Sequence, residues 1–187
     1  MMQKLLQKKL KLNYSKDVFD IVQFGSSTFE GKTPNDLDVA VIFYKIPLKE
    51  QLIQAQKIKK QIQEKVNLPI HIKSFDLYSL FDKSNFAKES ILFGKSLIFL
   101  DYFSKRFGFY PRVQINYSLK NLEKKDKVRF NYLLSGKGGG YGLLRKYGGK
   151  LLRPGLIEVL PEHEEIFIES IKKLTSGFKI KKIFLIA

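Results

Sequence analysis

Residues 38–43, DVAVIF, constrain this chain more than any other stretch, because a nearly continuous apolar run of this kind reads as a strand at the centre of a sheet. Upstream, Val18, Phe19, Ile21, Val22 and Phe24 form a second β-rich run that stops at Gly25, and a polar loop, SSTFEGKTPND, joins the two. Pro47 opens a helix in which Leu48, Leu52, Ala55, Ile58, Ile62 and Val66 recur at helical spacing, and Asn67 and Pro69 stop it. Residues 69–75 then alternate Ile70 and Ile72 with His71 and Lys73, the period of a half-exposed strand. With a short amphipathic helix on Leu5, Leu6, Leu10 and Leu12 before the first strand, the predicted order is α-β-β-α-β. A further helix over residues 85–93, capped by Gly94, and a short strand over residues 97–100 complete this part.

After Gly108 and Pro111 the texture changes. A helix over residues 124–134 leads to a glycine-rich stretch, GKGGGYGLLRKYGG, and to a strand over residues 156–160. Pro161, with Glu162, Glu164 and Glu165 in the first turn, starts a helix ending near Ser176 and Gly177, and FKIKKIFLI reads as a closing strand. The fold class expected is therefore α+β: a mixed-sheet domain over residues 1–108 and a small basic α+β unit over residues 109–187.

The chemistry concentrates between the first two strands. Asp36 and Asp38 stand two apart at the head of a strand, so their carboxylates share a face and together can hold one or two Mg²⁺ ions. Gly25, Ser26 and Ser27 end the preceding strand, where glycine allows close backbone approach and the serines add N–H and hydroxyl donors for phosphate oxygens.

This order of strand, Gly-Ser, loop, Asp-x-Asp and apolar strand resembles the signature of the DNA polymerase β-like nucleotidyltransferases, especially the minimal nucleotidyltransferases, over roughly residues 17–100. The resemblance implies a nucleotidyltransferase fold in the N-terminal domain, Mg²⁺ or Mn²⁺ as cofactor, and transfer of a nucleoside monophosphate from a nucleoside triphosphate to a hydroxyl. It assigns Gly25, Ser26 and Ser27 to the triphosphate and Asp36 and Asp38 to the metal. The family's third carboxylate has His71 at its equivalent position, so the catalytic set reads Asp36, Asp38 and His71. An imidazole can ligate a metal or accept a proton but brings no negative charge. Asp76, just beyond, reads as a polar residue at a strand end, and His163, in PEHEEIF, as part of a solvated first helical turn rather than a metal ligand.

Thirty-four Lys and Arg oppose eighteen Asp and Glu, a net charge of +16, which attracts polyanions. Residues 1–110 hold 18 basic and 11 acidic residues, residues 111–187 hold 16 and 7, so the smaller unit carries +9 against +7. Its Lys137, Arg145, Lys146 and Lys150, interleaved with glycine and tyrosine, are the candidate nucleic-acid contacts, with two glycine turns around a short apolar helix as the competing reading. Nucleic acid, RNA above DNA, is the expected acceptor, with a protein acceptor as in AMP-transferring antitoxins, or a catalytically decayed binding protein, as alternatives. The chain has no cysteine, which excludes disulfides and thiolate chemistry. Without an apolar run of transmembrane length or a signal-peptide core, no membrane role and a cytoplasmic location are the expectations.

Overall fold

The computed structural model describes residues 10–138, 140–175 and 177–186. It is an α+β structure with two four-stranded sheets and two compact units, one taking the chain to Thr28 and Lys32–Gly108, the other Phe29–Gly31 and everything from Phe109 on.

In the first unit, β1 (Val18–Phe24), β2 (Leu37–Phe43), β3 (Ile70–Asp76) and β4 (Lys95–Ser96) form a mixed sheet in the order β3-β2-β1-β4. β1 runs antiparallel to β2 and β2 parallel to β3, because helix α1 (Leu48–Gln63) makes the crossover. The central position of β2 follows from its composition, since every residue from Val39 to Phe43 is fully buried. One sheet face meets α1 through Ile21, Leu37, Val39, Val41, Ala55, Ile58 and Ile62. The other packs Val22, Ala40 and Ile42 against α2 (Leu77–Leu80), α3 (Lys88–Leu92) and the 3₁₀ turn Phe103–Phe107.

Leu48 and Leu52 are exposed, and Gln51 is buried in their stead, its Nε2 donating to Ile46 O at 3.0 Å. Residues 97–100 form no strand; the ladder is confined to Lys95–Ser96, and Leu100 adopts a positive φ of 59°. Gly94 is glycine for clearance, because a Cβ there would lie 2.6 Å from Gln23 O of β1. The predicted N-terminal helix falls largely outside the described residues; Leu10 and Leu12 are not helical, and both pack on the α1 side of the core.

The second unit folds β5 (Phe109–Tyr117), β6 (Lys150–Arg153), β7 (Leu156–Val159) and β8 (Phe178–Ile186) into an antiparallel sheet ordered β6-β7-β5-β8. Helices α4 (Lys124–Ser135), α5 (Leu143–Lys146) and α6 (Glu164–Lys172) supply Phe130, Leu134, Leu144, Phe167 and Ile171 to a core with Val113, Ile115, Ile157 and Val159. β5 and β6 were not expected. Pro111 argues against a strand, but β7 pairs with β5 only from Val113 onward, so the proline sits where β5 has β8 as its one partner.

Candidate active site

The β2–β3 register puts Asp38 opposite His71, and the β1–β2 register puts Phe24 opposite Asp38, so the residue after Phe24, Gly25, arrives at the same place. Asp36 precedes β2 by one residue, and between the two aspartates Leu37 is fully buried on the opposite face, its N–H donating to Pro69 O at 2.9 Å. Alternation along the strand therefore turns both carboxylates to one side, as predicted from their spacing. His71 Nδ1 lies 3.4 Å from Asp36 Oδ2 and 3.7 Å from Asp38 Oδ1. The side chains of Asp36 and Asp38 remain 36% and 29% exposed and that of His71 62%, so this is an open edge that a ligand can reach.

Gly25 closes the site from the β1 side. Its φ of 74° is a left-handed conformation, and a Cβ on it would stand 2.8 Å from Asp38 Oδ2. The glycine thus keeps the space beside the carboxylate clear. Gly25–Thr28 forms a 3₁₀ turn in which Thr28 Oγ1 donates to Gly25 O at 2.8 Å. Ser26 is exposed at the turn, whereas Ser27 is buried, with its hydroxyl donating to Phe24 O and accepting from Gln23 Nε2. Any part Ser27 takes in phosphate binding falls to its backbone.

Asp76 ends β3 and caps α2, accepting from the N–H groups of Tyr78 and Ser79 at 2.9 and 2.8 Å. The Ser79 and Tyr78 hydrogen bonds hold its carboxyl below the usual range. It is a helix cap and not a third carboxylate of the site. Sequence patterning missed this because Asp76 is at once the last strand residue and the first cap.

Among the described residues, no group of three or more histidine, aspartate and glutamate side chains is arranged to hold a metal ion. At the ends of β2 and β3 the imidazole nitrogen lies against both carboxylates. The two carboxylates alone suit Mg²⁺ when triphosphate oxygens and water fill the rest of its octahedron. The donor set thus fits a hard cation only if further oxygen ligands come from outside the protein.

No protein-family model matches the chain. Nor does any characterised protein or solved structure resemble it significantly.

The remaining sequence candidates lie in the second unit. His163 is not solvated: its side chain is 15% exposed, its Nδ1 lies 2.7 Å from Glu30 Oε2, and its ring packs 5.0 Å from that of Tyr147. In the glycine-rich stretch, of which residue 139 is outside the described residues, Gly142 and Gly149 serve close packing, whereas Gly138 and Gly148 serve positive φ. A Cβ on Gly142 would lie 2.3 Å from Leu134 O, and one on Gly149 2.9 Å from Leu144 Cδ2. The cations line up on tyrosines of their own unit, Lys137 over Tyr132, Arg145 over Tyr141 and Lys146 over Tyr147, while Lys150 stands opposite Glu158 in the sheet. No helix of the described residues is long and apolar enough to cross a membrane.

Proposed function

We propose that this chain is a metal-dependent nucleotidyltransferase that moves a nucleoside monophosphate from a nucleoside triphosphate to a hydroxyl on RNA. The observation that carries this reading is the convergence of Asp36, Asp38 and His71 at one open end of the strands beside Gly25, whose missing side chain leaves room next to Asp38. Gly25 and Ser26 offer backbone and hydroxyl donors to the phosphates. Asp36 and Asp38 hold the nucleotide's Mg²⁺ or Mn²⁺, which when bound neutralises charge on the phosphates. The acceptor oxygen forms a bond to the α-phosphorus, the bond to the β-phosphate oxygen breaks, and pyrophosphate leaves. The hydroxyl proton passes to the imidazole of His71, which lies beside both aspartates. A nucleic acid is favoured as acceptor by the net charge of +16, and RNA is the one proposed.

A second reading has its own support. The imidazole lying against both carboxylates competes with a cation for them, which suits a domain that binds nucleic acid without catalysis. Incubation with Mg²⁺ or Mn²⁺, each labelled nucleoside triphosphate and total RNA separates the two. The first reading expects label on RNA, lost in the Asp36→Asn/Asp38→Asn protein with its fold intact. RNA binding without label transfer from any triphosphate selects the second, and label on protein instead points to an AMP-transferring activity on a protein acceptor.

A further inference from the structure

Within the second unit, a groove of about 540 Å³ opens between α4 and the turn joining β6 to β7. Its position follows from local structure. Lys127 and Asn131, four residues apart, share one face of α4, and the β6–β7 turn reaches the end of β5, where Tyr117 N–H donates to Gly155 O at 2.8 Å. Gly155 has a φ of 86°, and a Cβ there would lie 3.0 Å from Tyr117 O, so the glycine permits this close approach. Leu119, Leu151 and Pro154 give the groove an apolar surface, and Leu151 is half exposed. Lys120 joins Lys127 in supplying two ammonium groups, and among the described lining residues there is no carboxylate.

An apolar surface edged by two cations and an amide matches one chemical unit well: a planar base carried on a phosphodiester. The base covers the leucines and proline, the ammonium groups face the phosphates, and the carboxamide of Asn131 meets a base edge or a ribose hydroxyl. A volume of this size admits a nucleotide. The surroundings extend the same field, since exposed Lys150 and Arg153 sit at either end of β6 and residues 111–187 carry +9.

We infer that this groove seats a nucleotide of a single-stranded RNA, gripped through Lys120 and Lys127 and stacked on Leu151 and Pro154. The inference deepens the RNA-acceptor reading and rests on it for the identity of the polymer, but it requires no catalysis. It also moves the expected contact from the glycine-tyrosine stretch, where Lys137, Arg145 and Lys146 lie over tyrosine rings, to a concave surface.

The test uses the full chain and a fluorescent mixed-sequence RNA of about ten nucleotides, with anisotropy measured without nucleotide or metal. Lys120→Gln/Lys127→Gln is compared with Lys179→Gln/Lys181→Gln, a pair of equal charge on exposed β8. The expected result is a loss of about tenfold or more for the groove pair, with the salt slope reduced by about one, and under about threefold for the β8 pair. Leu151→Asp, at an exposed position, should weaken binding as the groove pair does. Equal losses for the two lysine pairs overturn the proposal in favour of a diffuse field, and so does a wild type that fails to bind the RNA. Because anisotropy is read without nucleotide or metal, a wild type that binds the oligonucleotide through the groove but transfers no label counts against the nucleotidyltransferase reading and leaves the groove standing.

Discussion

Asp38 and His71 face each other in register across two parallel strands, with imidazole Nδ1 3.7 Å from the carboxylate. An imidazole beside a carboxylate adds no negative charge for a hard dication, so the histidine should limit binding of Mg²⁺ there. His71→Asp should therefore lower the Mg²⁺ concentration needed for triphosphate binding by about tenfold, while His71→Ala should lower turnover at saturating metal. Metal titrations of nucleotide affinity and of label transfer read the two effects separately. An aspartate variant that needs as much Mg²⁺ as the wild type would remove the argument.

Gly25→Ala combines backbone strain with intrusion on Asp38. The left-handed conformation costs about 1–2 kcal/mol for an alanine, and the added methyl displaces the Asp38 carboxylate. Gly108→Ala is the control, because it has a similar φ of 77° with nothing within 4 Å of the new Cβ. Both variants should lose comparable thermal stability, but nucleotide affinity with Mn²⁺ should fall, by about tenfold, for Gly25→Ala alone. Parallel loss of affinity in both would show that stability, and not the site, is being read.

Arg106→Met tests the buried charge in the first unit. Asp20 is fully buried and accepts from Ser96 Oγ, its neighbour's N–H and Arg106, whose guanidinium also stacks between Phe19 and Phe99. Burial outweighs these partners and pushes the carboxyl above its ordinary 3.8. For an acid raised in this way, the folded state favours the proton; the resulting stabilisation is full below 3.8 and is lost as pH rises through the folded value. Without the cation that folded value rises further. The variant should be destabilised by about 3 kcal/mol at neutral pH, and urea midpoints should converge with those of the wild type on acidification. A pH-independent difference would place the guanidinium's contribution in stacking alone.

Asp76→Ala should cost about 1 kcal/mol through the lost cap of α2 and leave nucleotide affinity unchanged. Its carboxyl is held below 3.8, so its contribution is present above that value and lost as pH falls through the folded one. Chemical denaturation at neutral and acid pH checks the sign. A drop in metal-supported nucleotide binding would return Asp76 to the site.

The local signals in this sequence vary in strength. β2 declares itself through five consecutive buried residues, and the shared face of Asp36 and Asp38 needs only strand alternation. The meeting of Asp38 with His71 was open to inference from the alignment of strand ends alone, whereas the role of Asp76 depends on where a strand stops, a boundary that side-chain pattern does not mark. β5 was hidden by Pro111, although Val113, Ile115 and Tyr117 keep its period of two. The shielded position of His163 is not legible in the sequence, because a helix start rich in glutamate usually faces water and nothing nearby in sequence announces Glu30 as its partner.

That partner lies in Phe29–Gly31, three residues of the loop between Gly25 and Asp36 that pack with the second unit, Glu30 N–H donating to Glu162 O at 2.8 Å. The chain thus changes unit at 28/29, at 31/32 and again at 108/109. During synthesis, Glu30 leaves the ribosome long before Glu162 and His163 exist. The first unit has its whole sequence early and can fold in order of emergence, while the second must wait for its last helix to find a segment made near the beginning. A protein cut between 108 and 109 would for the same reason give a second piece without Glu30, and supplying that piece as a short peptide covering residues 25–36 should restore part of the stability lost.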